Sequence, residues 1–389
     1  MVVFQGQREP AINTGMGKNI AITGSGISTP EFTITNEELV EGFNRYVQHF
    51  NAENAAAIAS GEVTELREST AEFIEKASGI KQRFVCNKSG ILDPEIMRPV
   101  IPQRPNEELC IQAELAVNAC KIALEQAGRV GEDIDLVILA SSNLQRPYPT
   151  VAMEVQNALG ARGFAYDMNV ACSSGTYAIQ AAADAVRAGS ATCALVVVPE
   201  IMSGHLNWTD RDTHFIFGDG CAAVVVEVLE DAKVEHPWEI LSTKALARYS
   251  HNIRNNGGYL GRCDPERRDE ADKLFVQQGR KVFKDIVPLA ANFIKDHMAS
   301  QGLEPENVSR YWLHQANASM NRLIAKRVVG RDTTPDEAPT ILDIYANTAG
   351  AGSMIAFHLH NEDLAPGSTG VLCSFGAGYS IGSIILRKV

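Results

Sequence analysis

Three residues of types that serve nucleophilic catalysis each stand where an apolar segment of the sequence ends. Cys172 follows the stretch DMNVA, His314 closes YWLH, and Asn347 lies in YANTAGAGS. Ligand crevices form at the ends of strands in an α/β core, so the sequence predicts that these side chains share one site. A thiol, an imidazole and a carboxamide together can form and break a covalent acyl intermediate.

The sequence around Cys172 predicts a strand that stops at the thiol and a helix that begins beside it. The free N–H groups and the dipole of a helix N-terminus lower the pKa of a thiol. The small residues SSG that follow leave room for a carbonyl near the Cys172 N–H, which is one donor of an oxyanion hole. The structural alternatives are a cysteine that packs as a small apolar residue, a core histidine at His314, and an Asn347 that only caps a helix.

Two chemistries fit a set of cysteine, histidine and asparagine. In a papain-like hydrolase the histidine deprotonates the thiol and the asparagine orients the histidine, but the CGSCW-type signature of those proteases does not occur in this sequence. In a condensing enzyme the thiol carries an acyl group. The histidine and the asparagine then bind a second thioester carbonyl and stabilise the enolate that decarboxylation forms.

The elements that must position these residues alternate between strands and helices, which predicts an α/β core. The predicted strands cover residues 19–28, 134–142, 193–201, 221–229, 234–247 and 309–317. The predicted helices cover residues 106–128, 149–160, 272–302 and 320–330. Residues 341–364 predict a strand, a turn of small residues and a helix, which repeats the design around Cys172.

Element order predicts two duplicated halves, residues 18–232 and 233–389, preceded by an N-terminal arm of residues 1–17. The first half carries the cysteine, and the second carries the histidine and the asparagine. Residues 37–72 interrupt the alternation of strands and helices in the first half and predict a helical insertion that caps the core.

Composition narrows the class of function. The net charge of −12 argues against nucleic-acid and anionic-membrane partners, and no apolar run approaches the ~18 residues of a spanning helix. The eight cysteines form no CxxC pair, and the N-terminal stretch lacks the apolar core of a secretory signal. We therefore expect reduced thiols, a cytoplasmic location, no metal site and no cofactor.

Five stretches occur in the order typical of one family: DMNVACSSGTYAIQAA, FIFGDGCAAVVVE, HQAN, YANTAGAGS and FGAGYSIGSIILR. Together they resemble a β-ketoacyl-acyl-carrier-protein synthase III of the thiolase-fold superfamily. ITGSGISTPEFTITNEELV and ASGIKQRFV extend the resemblance from about residue 18 to the C-terminus. GFNRYVQHFNAENAAAIASGE and GHLNWTDRDTHFIFGD are similar to the β-ketodecanoyl branch, which extends medium-chain acyl-CoA. The resemblance implies a thiolase-like fold of two α/β halves in a layered α-β-α-β-α core.

The resemblance also implies roles for individual residues at the reacting centre. Cys172 matches the nucleophile that carries the acyl group, and His314 and Asn347 match the pair that binds malonyl thioester and drives its decarboxylation. The N–H of Ala377, in FGAG, matches the second oxyanion donor beside that of Cys172.

Further positions match substrate-binding residues of the family. Arg211 matches a residue that contacts CoA, Asn317 matches one that contacts the pantetheine arm, and Phe73 stands where the family has a tryptophan against the adenine. Ala77 stands where the family has an arginine, so the CoA entry is only partly kept. The implied acyl-pocket residues are Phe217 and, from the neighbouring subunit of a homodimer, Tyr148.

The helix after His314 offers a basic face for the acidic acyl carrier protein. Arg322 and Lys326 are four residues apart and share a face, and Arg327 adjoins them. The alternative is an ordinary solvated charged face.

The sequence therefore predicts a homodimeric enzyme that condenses an acyl primer, such as medium-chain acyl-CoA, with malonyl-ACP. One alternative is an acyltransferase that moves the group from Cys172 to an alcohol or amine, with His314 as base. Another is a non-catalytic partner subunit, against which the intact set of Cys172, His314 and Asn347 argues.

Overall fold

Alternating strands and helices build most of the chain, of which the computed structural model describes residues 17–389. The strands are β1 (Ile20–Ser28), β2 (Phe32–Thr35), β3 (Gln82–Val85), β4 (Leu136–Ala140), β5 (Phe164–Met168), β6 (Cys193–Glu200), β7 (Gly220–Val228), β8 (Trp238–Ser250), β9 (Ile253–Arg254), β10 (Val276–Gln277), β11 (Arg310–Leu313), β12 (Thr369–Gly376) and β13 (Gly378–Lys388). The helices are α1 (Asn36–Glu53), α2 (Ala55–Ser60), α3 (Ala71–Ser78), α4 (Ser89–Leu92), α5 (Ile111–Ala127), α6 (Val151–Leu159), α7 (Ser174–Ala188), α8 (Gly279–Ser300), α9 (Ala318–Val329), α10 (Leu342–Tyr345) and α11 (Gly352–Leu359).

Nine of these strands form one mixed sheet in the order β11-β12-β13-β8-β1-β7-β6-β4-β5. The strands of the proposed first half lie on one side of the β1–β8 contact, and those of the second half lie on the other. Counted outward from that contact, β1-β7-β6-β4 and β8-β13-β12-β11 have the same order and the same pattern of antiparallel and parallel pairs. This repeat supports our proposal that the chain divides into two halves near residues 232 and 233.

Helices cover both faces of the sheet. Strands β6 and β7 are buried along their whole length, as expected for apolar strands with a layer on each face. Helices α7 and α11 pack in one apolar cluster with strands of both halves. Helices α5 and α6 pack on the opposite face of the first group of strands, and α8 and α9 pack on that of the second. The predicted α/β, thiolase-like layering is therefore confirmed.

The inserted region lies over the end of the sheet where Cys172 is found. Its helix α1, together with the flanking helix α3 and β2–β3 pair, shares an apolar cluster with Trp208 and Phe217, and Cys172 packs against this cluster. Helix α1 begins with a capping box, because Thr35 and Glu38 each accept a hydrogen bond from the backbone of the other. The predicted insertion is helical only in part, since Gly61 ends α2 in a left-handed conformation (φ 81°) and residues 61–70 form no helix.

Two other predicted elements differ from the structure. The strand expected before Asn347 is instead the short helix α10, and Asn347 makes only an isolated bridge with Phe217. The helix expected over residues 272–302 begins only at Gly279, because the chain before it forms β10 and a short 3-10 turn. The predicted N-terminal arm lies, apart from Gly17, outside the described residues.

Candidate active site

Cys172 lies in a tight turn that joins β5 to α7. The turn is a 3-10 segment over Ala171–Ser173, and Ala171 adopts a left-handed conformation (φ 48°) that directs the chain sharply at the thiol. The Ala171 N–H donates to Asn169 Oδ1 at 2.9 Å, which fixes the turn. Cys172 as a whole residue is partly exposed, while its thiol is buried.

Strand β12 passes directly beside the nucleophile. A Cβ atom added at Gly376 would lie 2.5 Å from Cys172 Cβ and 2.9 Å from Cys172 Sγ. Atoms cannot approach that closely, so only glycine permits this separation of strand and thiol. The next residue, Ala377, directs its backbone N–H at the Cys172 sulfur, as does the N–H of Cys172 itself. The two predicted oxyanion donors thus lie together at the nucleophile.

The thiol at rest is protonated rather than ionised. Burial raises the pKa of Cys172 to about 12, and the nearby charge of Glu200 raises it further, while the two backbone N–H groups act in the opposite direction. The expectation of a lowered thiol pKa is therefore wrong for this structure. The physical reason is that α7 begins at Ser174, beyond the 3-10 turn, and that apolar side chains of the cap surround the thiol.

His314 follows β11 and is buried against β12. Its backbone N–H donates to Cys373 O at 2.8 Å, and its ring packs edge-on against Phe375 with 5.3 Å between centroids. Burial lowers the pKa of the ring to about 4, and the nearby backbone of Ala349 opposes this shift. The imidazole is thus neutral near pH 7, with one nitrogen that donates and one that accepts.

Asn347 is held by backbone contacts on both sides. Its N–H donates to Ile216 O at 3.1 Å and its carbonyl accepts from Gly218 N–H at 3.2 Å. Its Oδ1 accepts from Ala349 N–H at 2.9 Å. Because the Ala349 backbone also contacts the His314 ring, this one residue links the predicted pair. Among the residues that the structure describes, Asn347 Nδ2 has no acceptor, so it is free to donate to a substrate carbonyl.

The predicted CoA-binding residues meet at the junction of α3 and α9. The Arg211 guanidinium lies over the Phe73 ring, 4.1 Å from its centroid, and Arg211 Nε donates to Glu68 O at 2.7 Å. Asn317 Oδ1 caps α9, and its Nδ2 donates to Ala77 O at 2.6 Å. In this structure Arg211 therefore stacks on Phe73. Separately, the side chain of Asn317 bonds α3 and holds α3 and α9 together.

The two predicted acyl-pocket residues lie in different environments. Phe217 is buried, forms the bridge with Asn347, and packs edge-on against Phe275 with 4.7 Å between ring centroids. Tyr148 is 81% exposed, on the loop after β4. Within one chain its side chain is therefore open to solvent, and its predicted role depends on a second subunit.

The predicted docking residues Arg322, Lys326 and Arg327 are all exposed on α9. Lys326 pairs with Asp332 at 2.9 Å. Within residues 17–389, neither arginine has an ion-pair partner, so both remain available to a charged ligand.

Sequence reasoning missed three residues near the nucleophile: Glu200, Phe275 and Phe375. Glu200 is fully buried at the end of β6, and its burial raises the pKa of the carboxyl to about 7. The signal for it was a carboxylate that ends an otherwise apolar strand, CALVVVPE. No pattern in the sequence indicated Phe275, because only the path of the long segment after β8 brings it against Phe217. Within residues 17–389, no cluster of three or more His, Cys, Asp or Glu side chains is arranged to hold a metal ion.

Comparison with known proteins finds relatives over nearly the whole chain. Two family profiles match, 3-oxoacyl-acyl-carrier-protein (ACP) synthase III over residues 166–245 and its C-terminal counterpart over residues 298–388. A β-ketodecanoyl-acyl-carrier-protein synthase of Pseudomonas aeruginosa is 56% identical over 349 residues, which cover 90% of this chain and 100% of that protein. A β-ketoacyl-acyl-carrier-protein synthase III of Roseiflexus castenholzii is 30% identical over 96% of this chain and 99% of that protein.

Solved structures show the same similarity. The crystal structure of a 3-oxoacyl-acyl-carrier-protein synthase III from Aquifex aeolicus matches this chain with a TM-score of 0.72 and 25% identity, over 95% of this chain and 99% of that one.

Proposed function

Since this chain belongs to the β-ketoacyl-acyl-carrier-protein synthase III family, we propose that it is a condensing enzyme of fatty-acid synthesis. It joins an acyl primer to malonyl-ACP by decarboxylative Claisen condensation and yields a β-ketoacyl-ACP that is two carbons longer. The observation that carries this proposal is the convergence of Cys172, Ala377, His314 and Asn347 at one end of the sheet.

In the first half-reaction, Cys172 Sγ attacks the thioester carbonyl of the primer. The N–H groups of Cys172 and Ala377 stabilise the oxyanion that forms. The thiol is protonated at rest, so its proton must leave as the bond forms. Neutral His314 is the base that accepts this proton and returns it to the departing carrier thiolate.

In the second half-reaction, the malonyl thioester carbonyl accepts hydrogen bonds from His314 and from Asn347 Nδ2. These donors stabilise the enolate that remains when the carboxylate leaves as carbon dioxide. The enolate carbon attacks the acyl carbonyl on Cys172, and the Cys172 thiolate is the leaving group. It then takes up one proton from solvent to return to the resting thiol. Each step is an acyl transfer or a decarboxylation, so neither a metal nor a redox cofactor is required.

The primer of this proposal is a medium-chain acyl-CoA such as octanoyl-CoA. It is supported by the 56% identity to a protein named as a β-ketodecanoyl-ACP synthase, because a ten-carbon product requires an eight-carbon primer. Arg211 and Phe73, which contact each other here, must separate if an adenine is to bind between them.

We further propose a homodimer located in the cytoplasm. Strand β5 is the edge of the nine-stranded sheet and leaves backbone groups unpaired. Phe164, on β5, is 44% exposed, and Met153 and Tyr148 nearby in the chain are also exposed, so a second copy would cover an apolar surface. All eight cysteines are free thiols, which supports a reducing compartment. No helix within residues 17–389 has the length and apolarity to cross a membrane.

Intact-mass spectrometry tests the proposal directly. We would incubate the wild type and Cys172→Ala with acyl-CoA of two, four, eight and twelve carbons, and then add malonyl-ACP. We expect a mass gain that requires Cys172, is largest with the eight-carbon primer, and is discharged with release of carbon dioxide. Loading without carbon dioxide release would indicate an acyltransferase, and no loading from acyl-CoA or acyl-ACP would indicate a non-catalytic subunit.

A further inference from the structure

The repeat of the fold places a second, altered copy of the active site beside the first. Matching β11 to β4 from their first residues aligns His314 with Ala140, and matching β12 to β6 aligns Gly376 with Glu200. The pairing registers agree, since Leu136 pairs with Ala194 and the equivalent Arg310 pairs with Gly370.

The turns that precede helices α7 and α11 also match each other. The 3-10 turn at Ala171–Ser173 before α7 matches the 3-10 turn at Ala349–Ala351 before α11, and both begin with a left-handed alanine. Cys172 therefore corresponds to Gly350, and Asn347 corresponds to Asn169. The second copy has an asparagine but neither a nucleophile nor a histidine.

In each copy a side chain from one element faces a glycine of the other, but the two copies place the glycine on opposite elements. In the active copy the thiol of Cys172 faces Gly376, where no side chain fits. In the other copy Gly350 faces Glu200, and a Cβ at Gly350 would lie 2.9 Å from Glu200 Oε1. The carboxylate of Glu200 thus occupies the space that the nucleophile would fill, and it accepts from the Gly350 N–H at 3.0 Å. That N–H is the equivalent of the Cys172 N–H predicted to bind the substrate oxyanion.

The carboxylate is bonded on all sides by uncharged donors. Besides Gly350, it accepts from the Ser142 N–H at 3.0 Å, the Ser142 hydroxyl at 2.8 Å and the Ser141 hydroxyl at 3.1 Å. A buried carboxylate with this many donors is well held, and its partners belong to two different loops. Glu200 therefore joins the loop after β4 to the turn after Asn347.

From these partners, short paths reach both parts of the catalytic site. Gly350 follows Ala349, whose backbone contacts His314 and Asn347. Ser142 O accepts from Asn169 Nδ2 at 2.8 Å, and Asn169 Oδ1 accepts from the residue before Cys172. The path to the histidine and the asparagine is the shorter of the two.

We infer that Glu200 is a positioning residue, which acts as an internal oxyanion in the altered copy of the site and holds the His314–Asn347 pair in place for decarboxylation. This inference rests on the proposed function. It concerns the second half-reaction more than the first, since the path to Cys172 runs through the Ser142 backbone and the Asn169 side chain.

Glu200→Gln tests the inference, because glutamine keeps the size of the side chain but replaces one acceptor oxygen with a donor. We expect kcat for malonyl-ACP decarboxylation to fall roughly ten- to a hundredfold, the cost of a small misplacement of catalytic groups. We expect the KM for malonyl-ACP to change less than about threefold. The rate of Cys172 acylation should fall less than that of decarboxylation, because acylation uses His314 but not Asn347. Glu200→Asp, which keeps both oxygens but is shorter, should lie between the wild type and Glu200→Gln.

Glu227→Gln is the matched control. Glu227 is equally buried, on β7, where it bonds Thr23 and Arg129, so its replacement should lower Tm without selective loss of decarboxylation. If Glu200→Gln does not fold, Ser142→Ala, which removes one donor to the carboxylate, should show a smaller loss of the same kind.

The outcomes separate the two claims. If the wild type does not decarboxylate malonyl-ACP, the proposed function fails. If the wild type is active and Glu200→Gln keeps its decarboxylation kcat, or loses both half-reactions only in proportion to folded protein, then Glu200 has no positioning role.

Discussion

At the scale of single residues, the candidate site contains two groups that are both neutral at rest. Burial raises the pKa of Cys172 to about 12 and lowers that of His314 to about 4. A preformed thiolate–imidazolium pair is therefore disfavoured. Neutral His314 suits both half-reactions, because it has an accepting nitrogen for the thiol proton and a donor for the malonyl carbonyl.

Replacing Asn347 with alanine should separate the half-reactions, whereas replacing His314 with alanine should slow both. We expect malonyl-ACP decarboxylation to fall roughly a hundredfold or more in each variant, as when one oxyanion donor is removed. Asn347→Ala should still acylate Cys172, since the carboxamide takes no part in that step. The measurements are carbon dioxide release and intact mass.

His297→Gln provides the control for this experiment. His297 is also a buried histidine, but both of its ring nitrogens bond serine hydroxyls, Ser383 Oγ at 2.9 Å and Ser242 Oγ at 3.0 Å. It should keep decarboxylation activity. Equal activity losses at His297 and His314 would contradict the roles assigned here.

At the scale of elements, the predicted roles of strand β12 at the nucleophile and of helix α9 as a docking surface can each be tested. The β12 strand carries Gly376 against the thiol and Phe375 against His314. Helix α9 begins at the Asn317 cap and displays its arginines to solvent. One element thus shapes the reacting centre, and the other offers a surface to a carrier.

Gly376→Ala should displace strand β12 from the Cys172 thiol, because the added Cβ would lie 2.5 Å from Cys172 Cβ. We expect a loss of about 1–3 kcal/mol in the free energy of unfolding, typical of overpacking. We also expect Cys172 acylation to fall more than tenfold, as near-attack geometry is lost. Denaturant unfolding and intact mass measure the two effects. Gly258→Ala is the control, since nothing lies within 4 Å of its added Cβ.

Charge reversal on α9 tests the docking surface for acyl carrier protein. In the double variant Arg322→Glu, Arg327→Glu we expect the KM for malonyl-ACP to rise about three- to tenfold, with the difference shrinking as salt is added. Loading of Cys172 from acyl-CoA should not change. Lys121→Glu, an exposed substitution on α5, is the matched control, and an equal rise in its KM would show that net charge alone is responsible.

At the scale of the whole molecule, burial of histidines ties stability to pH. Burial lowers the pKa of four histidines to about 4: His205, His214, His297 and His314. Between pH 4 and about 6.5 the unfolded chain binds more protons at these rings than the folded one, so their contribution makes stability rise with pH in that window. Glu200 opposes this trend, since its raised pKa means that the folded state binds its proton more tightly.

The variant His297→Gln isolates one of these rings. Its Tm should depend less steeply on pH than that of the wild type between pH 6.5 and 4, because the substitution removes a group that takes up a proton on unfolding. The Tm of both proteins would be measured by calorimetry across this range. Parallel curves would show that His297 does not titrate between the folded and unfolded states.

The exposed edge of the sheet predicts the oligomeric state. We expect light scattering to give twice the mass of one chain, and Phe164→Glu, which places a charge on the β5 edge, to shift the protein toward the monomer. The control is Leu359→Glu, since Leu359 is 43% exposed, close to the 44% of Phe164, but lies on α11. A wild-type monomer would contradict the dimer and, with it, the predicted role of Tyr148.

Local patterns in the sequence point to Cys172, His314 and Asn347 as one site, because each stands at the end of an apolar segment, and their catalytic roles stay predictions that the family resemblance implies. The same patterns predicted the α/β layering, since apolar periodicity over five to twenty residues reports which face of an element is buried. They were wrong about the segment before Asn347, where Leu342–Tyr345 form a short helix and a single bridge takes the place of a strand.

What only the tertiary structure decided are the contacts between residues far apart in the chain. Gly376 meets Cys172 because β12 passes the turn before α7, and Glu200 meets Gly350 because the two halves face each other. Burial sets the direction of the Cys172 pKa shift, and the apolar side chains of the cap pack against this residue. Such contacts and pKa shifts depend on which strands pair and on which segments cover them. The spacing of residues along the chain specifies neither.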